Sequence, residues 1–198
     1  MGKHKVRRRA VFLDRDGVLN RPVVREGRPH PPQSVDAFVL YDGVAEACAR
    51  LKEAGFLLIV VTNQPDVDRG TQSRTAVEAM HAKLRTAVPS LDGIEVCFHA
   101  GSQFGTPCDC RKPKPGMLLR AAVAHEIDLT KSYLVGDRWR DVDCAHAAGC
   151  RAVFIDHGYQ EPLRQRPDFA AANVSDAARI ILRDAAKQIE LPAPLGSG

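Results

Sequence analysis

No apolar run in this 198-residue chain approaches the length of a membrane span, and no hydrophobic stretch of the export-signal kind follows the basic opening KHKVRRRA. The expectation is a soluble cytoplasmic protein. Charge of one sign is also scarce: 28 Lys and Arg against 24 Asp and Glu leave only +4, and several of the positive charges sit in the tail 1–8. No basic face for nucleic acid is expected. Internal repeats, low-complexity blocks and dividing linkers are lacking too. With 44% hydrophobic residues, the chain is expected to be one domain over 1–198, monomeric, with a flexible carboxyl terminus at 190–198. The six cysteines would suit a disulfide set in a secreted protein; without an export signal, reduced thiols and a metal are the better reading.

What the chain does have is alternation. Runs rich in β-branched residues, AVFLD, FLLIVVTN, IEVCFH, SYLVGD and RAVFID, are separated by stretches of helical spacing. Asp42 and Gly55 bracket the helix DGVAEACARLKEAG, Ser73 is placed to cap SRTAVEAMHAKL, and Pro115 falls in the first turn of KPGMLLRAAVAHE. The pattern predicts an α/β fold: an open, Rossmann-like parallel sheet with helices on both faces. Three segments are expected to be loops: the proline-rich residues 20–41, residues 98–114, and the tail after Asp156.

Ligands of such sheets bind beyond the carboxyl ends of the strands. Here the first strand ends in Asp14, Arg15, Asp16 and Gly17, the second in Thr62, Asn63 and Gln64, and the fourth in Gly136, Asp137 and Arg138, with Asp141 one helical turn further on. Taken singly, each reads as an ordinary cap or turn residue. Taken together with Arg111 and Lys112, they gather carboxylates, a hydroxyl and two cations around one crevice. Carboxylates that repel one another require a cation to hold them there, and an all-oxygen set suits magnesium.

The stretch CDCRKPKPG sets two soft metal ligands, Cys108 and Cys110, directly before the cations Arg111 and Lys112. With Cys97 and His99 they supply three thiolates and an imidazole, the donor set of a closed structural zinc site. Such a zinc-stapled loop, 97–110, would fix Arg111 and Lys112 at the mouth of the crevice. Cys48, Cys144 and Cys150 read as core residues, and His81, His125 and His146 as packing or surface residues.

In order over residues 8–156, FLDRDGVLN, VVTNQ, RKPKPG and VGDRWRDVD resemble the four motifs of the haloacid dehalogenase (HAD) superfamily, in particular its small capless phosphatases. CFH followed by CDCRKPKPG resembles the zinc loop of its heptose bisphosphate phosphatases, relatives of the histidinol-phosphate phosphatases. The resemblance implies a HAD-like fold with no large cap domain, and a magnesium-dependent phosphomonoester hydrolase working through an aspartyl phosphate. It implies Asp14 as nucleophile, Asp16 as general acid and base, and Thr62 and Lys112 as holders of the phosphoryl oxygens. Magnesium would be held by Asp14, the Asp16 backbone carbonyl and Asp137, with Asp141 orienting Lys112 or a metal-bound water. Asn63, Gln64, Arg111, Arg138 and Arg25 are the substrate-binding candidates. The implied substrate is a small phosphorylated sugar, first a heptose 1,7-bisphosphate losing its 7-phosphate; histidinol phosphate and a polynucleotide 3′-phosphate are the alternatives. RPVVREGRPHPP stands where better-known members carry DHGYV, TNQPDVDRG replaces TNQSGI-RG, and Arg138 stands where lysine is common. The chemistry carries over these differences; the identity of the sugar does not.

Overall fold

Strand β1 (Ala10–Leu13) is buried along its whole length and β4 (Leu57–Asn63) along nearly all of it, as unbroken apolar runs require of strands covered on both faces. In the computed structural model, which describes residues 7–190, these two lie inside a six-stranded sheet ordered β5-β4-β1-β6-β7-β8. The other members are β5 (Gly93–Cys97), β6 (Tyr133–Gly136), β7 (Arg151–Ile155) and β8 (Phe169–Ala171), and every pairing is parallel. The basic tail lies mostly, and the carboxyl-terminal stretch almost wholly, outside the described residues. Among the described residues no helix is long and apolar enough to cross a membrane.

Strand alternation divides the core in two. Val11, Leu13, Leu58 and Val60 face a layer that draws on α1 (Val44–Glu53), α2 (Arg74–Ala87) and α5 (Val174–Glu190). Ala10, Phe12, Leu57, Ile59 and Val61 face α3 (Gly116–His125) and α4 (Trp139–Ala148). Cys48, Cys144 and Cys150 are buried in these layers, where burial pushes each thiol up to about 12. Because β1 pairs with β4 on one side and β6 on the other, the connections diverge at their carboxyl ends and open a crevice there.

Two expected loops hold regular structure. Residues 20–41 contain a small antiparallel hairpin of β2 (Val23–Arg25) and β3 (Arg28–His30), closed by Glu26 and Gly27, both at positive φ, the backbone a tight two-residue hairpin turn needs. The segment after Asp156 contains β8 and the 17-residue α5. The signals for that helix were in the sequence: Asn173 Oδ1 accepts from the Asp176 amide at 3.0 Å, an amino-terminal cap, and Val174, Ala177, Ala178, Ile181 and Ala185 make a buried stripe of helical period. The other helices start close to the expected places, with Ser73 Oγ accepting from the Ala76 amide at 3.1 Å and Pro115 at the head of α3. One correction bears on the site: Asp137 and Asp141 do not share a helix face, because α4 begins at Trp139 and Asp137 belongs to the preceding turn.

Candidate active site

Lys112 organises the crevice. It is 2% exposed, and its Nζ lies 2.9 Å from Asp14 Oδ1 and 2.6 Å from Asp141 Oδ1 while donating to the Val61 carbonyl at 2.9 Å. Asn63 clamps its backbone from both sides: the Lys112 amide donates to Asn63 Oδ1, and Asn63 Nδ2 donates to the Lys112 carbonyl, each at 3.1 Å. Burial works against the Lys112 charge, but Asp14 and Asp141 outweigh it and hold the ammonium protonated. One ammonium cannot neutralise every nearby acid. Asp14 is pushed up to about 7, by burial first and, against the pull of Lys112, by the charges of Asp141 and Asp16. Asp137 is raised well above the carboxylate range by burial and by the charges of Asp14 and Asp141.

Carboxylate oxygens of Asp14, Asp137 and Asp141 lie within 4.8 Å of one another. Among the described residues both Asp137 oxygens are buried without a hydrogen bond of ordinary length, with only the Tyr159 hydroxyl close enough to act on the carboxylate, a costly state unless a cation meets it. A hard divalent cation fits this donor set. Gly17 makes the approach possible: at φ +91 it needs no side chain, and a Cβ there would lie 1.8 Å from Asp137 Oδ2.

Asp16 is braced on every side. The fully buried Arg15 donates to it through Nε and Nη2, Asn20 Nδ2 donates at 3.0 Å, and Gln64 Nε2 at 2.8 Å. Gln64 also donates to Thr62 Oγ1 at 2.8 Å, so the Thr62 hydroxyl proton is left to point at another acceptor. Gln64 is thus placed as a brace beneath the site, fully buried, and not against a ligand. Arg15 was missed as a functional residue, although an arginine between two aspartates was a signal. Behind it stands His81, 3.2 Å from Arg15 Nη1; burial and then the Arg15 charge pull the imidazole down to about 4, so it is a neutral packing partner.

Cys97, His99, Cys108 and Cys110 close into one cluster. Cys97 Sγ lies 3.2 Å from Cys110 Sγ and 3.7 Å from Cys108 Sγ, and His99 Nδ1 lies 3.2 Å from Cys110 Sγ and 3.6 Å from Cys97 Sγ. A tetrahedral zinc with sulfur bonds of about 2.3 Å would set its ligands apart by on the order of 3.8 Å. The four side chains fit a closed zinc site. Their position, between the end of β5 and the residues leading to Lys112, is where a staple would fix that lysine.

Asp14, Asp16, Thr62, Asn63, Lys112 and Arg138 share one cleft with Arg140 and with Pro29, His30 and Pro31 of the hairpin segment. Arg138 is fastened to Glu161 through both Nε and Nη2. Arg111 lines a neighbouring hollow formed by the zinc loop and donates to the His99 carbonyl at 3.3 Å. Arg25 is exposed in β2 and is not brought to the cleft; the hairpin turns its other strand inward. Arg140 escaped sequence reasoning, since nothing marks it apart from its place in VGDRWRD, whereas Pro29, His30 and Pro31 belong to the proline-rich loop 20–41 that sequence reasoning made a wall of the site.

A HAD-hydrolase-like family model matches residues 109–177. The chain is 45% identical over 147 residues to the D-glycero-beta-D-manno-heptose-1,7-bisphosphate 7-phosphatase of Escherichia coli K12, covering 70% of this chain and 74% of the relative. It is 35% identical over 184 residues to the enzyme of the same name from Pasteurella multocida, covering 88% and 97%. Among solved structures, the D,D-heptose 1,7-bisphosphate phosphatase of B. bronchiseptica complexed with magnesium and phosphate matches with a TM-score of 0.74 and 29% identity, over 89% of this chain and 99% of that one. With the motif residues gathered at the strand ends and relatives this similar over most of their length, the chain belongs to the haloacid dehalogenase superfamily of hydrolases, in the family of the heptose bisphosphate phosphatases.

Proposed function

We propose that this protein is a magnesium-dependent phosphatase that removes the 7-phosphate of a heptose 1,7-bisphosphate through an aspartyl phosphate formed on Asp14. The observation that carries the reading is the buried cluster of Asp14, Lys112, Asp137 and Asp141 at the cleft, with Asp137 lacking an ordinary hydrogen bond among the described residues. The named relatives supply the substrate.

Asp14 Oδ1 is engaged by the Arg15 amide at 2.7 Å and by Lys112, which leaves Oδ2 for attack on phosphorus. As that bond forms, the bond from phosphorus to the sugar oxygen breaks, and Asp16 delivers a proton to the departing oxygen. Asp16 then takes a proton from water; the resulting hydroxide displaces Asp14 and frees inorganic phosphate. Lys112 and the Thr62 hydroxyl hold the phosphoryl oxygens, where charge gathers in the transition state. Magnesium, held by Asp14, the Asp16 carbonyl and Asp137, would supply charge neutralisation between nucleophile and phosphate. Zinc, held by Cys97, His99, Cys108 and Cys110, would be structural.

The rim of the cleft is cationic, with Arg138 and Arg140 lining it, which favours a second phosphate over the ammonium and imidazole of histidinol phosphate. Phosphate release should be measured on heptose 1,7-bisphosphate, heptose 7-phosphate and histidinol phosphate, with and without magnesium. The expected result is magnesium-dependent turnover with the highest kcat/KM on the bisphosphate. A preference for histidinol phosphate would overturn the substrate while leaving the chemistry standing.

A further inference from the structure

Of the cations that line the catalytic cleft, Lys112 is held by Asp14 and Asp141 and Arg138 by Glu161. Arg140 differs. Among the described residues it makes no ion pair, and its Nε is buried with no hydrogen-bond partner. Its guanidinium lies 5.6 Å from the Trp139 ring, a contact that supplies no acceptor. Burial, then the neighbouring charge of Arg138, pull Arg140 below the usual guanidinium range, and the charges of Asp141 and Glu161 do not make up the difference. A half-buried guanidinium with an unmet donor costs stability, and it is tolerated where a ligand supplies the missing acceptor.

We propose that Arg140 binds the second phosphate of the substrate, the one that is not transferred, and so sets the preference for a bisphosphate. The inference rests on the phosphatase reading above. The guanidinium fork matches a phosphate in two directions at once, and Arg140 shares the cleft with Asp14 and Lys112, so a sugar whose phosphoryl group meets Asp14 extends towards it. Arg138 is already committed to Glu161 through Nε and Nη2, and its charge is compensated there, whereas that of Arg140 is not. Arg111, one of the substrate-binding candidates, lines the adjacent hollow, which shares Lys112 with the catalytic cleft.

The test is a ratio. For wild type, Arg140→Ala and Arg140→Lys, kcat/KM is measured on heptose 1,7-bisphosphate and on heptose 7-phosphate under saturating magnesium. Any inactive or misfolded fraction cancels in the ratio of the two values. The wild-type ratio should favour the bisphosphate, and Arg140→Ala should lower it about 10- to 100-fold, the span expected for loss of a hydrogen-bonded charge, with the loss carried by KM. Arg140→Lys should retain part of the preference, having the charge without the fork. A wild-type preference that survives Arg140→Ala overturns the assignment of Arg140 alone. A wild type indifferent to the second phosphate overturns the substrate reading and this inference together.

Discussion

At the scale of single residues the site is a contest over charge, and each acid has a distinct part in it. Asp14→Asn should abolish turnover, since an amide neither attacks phosphorus nor serves a magnesium ion well; phosphate release within tenfold of wild type would remove the covalent mechanism. Asp16→Asn should form the phosphoenzyme from a substrate with a good leaving group and then stall, which rapid quench and mass measurement of the intact chain would reveal as an added phosphate. Gly17→Ala tests the approach of Gly17 to Asp137. A methyl there would fall 1.8 Å from Asp137 Oδ2, at φ +91, so Asp137 must move, and a misplacement of that order costs roughly 100-fold in rate. The gathering of Asp14, Asp16, Thr62, Lys112 and Asp137 at one end of the sheet was legible in the sequence because each stands at a strand end or before a helix within a recognisable motif. Arg15 and Arg140 were not, because their roles depend on what their side chains meet: Arg15 meets Asp16 and His81, while the buried Nε of Arg140 has no hydrogen-bond partner among the described residues.

At the scale of elements, the strands were readable wherever an unbroken apolar run signalled burial on both faces, as in β1 and β4. The hairpin and β8 were hidden by their three-residue length, too short for periodicity to register. Helix α5 was overlooked although its cap and stripe were present, since it follows a long polar stretch from Asp156 to Asp168. It matters for stability and stands away from the chemistry. Ile181 is fully buried on the face that packs against α1 and the sheet, so Ile181→Ala should cost roughly 2–5 kcal/mol in urea unfolding with kcat unchanged. The zinc loop makes the opposite prediction. Protein purified without chelators should carry about one zinc per chain, and Cys110→Ala should lose it. Because Cys110 stands two residues before Lys112, kcat/KM should fall at least tenfold even with magnesium saturating. Full activity in a zinc-free protein would dispose of the staple.

At the scale of the whole molecule, the buried acids tie folding to pH and to magnesium. The folded-state pKa of Asp14 is raised from 3.8 to about 7, by burial first and then by Asp141 and Asp16 against the opposing Lys112, and Asp137 shifts the same way. A carboxyl raised on folding binds more protons in the native than in the unfolded state between those two values, so in the metal-free protein these groups lose stability as pH rises through that window. His81, depressed from 6.5 to about 4, has the reverse sign and adds stability as pH climbs towards 6.5. The two contributions separate above pH 6.5, where most of the His81 change is complete and Asp14 is still losing its proton. There the metal-free melting temperature should fall between pH 6.5 and 8. Magnesium held as proposed would bind the deprotonated acids, so the rise in melting temperature that it produces should grow over the same interval. Asp14→Asn removes one of the repelling charges and one of the ligands together: it should melt higher than wild type without metal at pH 8 and respond less to magnesium. Thermal melts of both proteins at pH 6.5 and 8, with and without magnesium, measure all of this at once. A wild-type magnesium response that does not change with pH would mean that Asp14 and Asp137 are already ionised in the metal-free fold, and that the cluster is not held together by the cation.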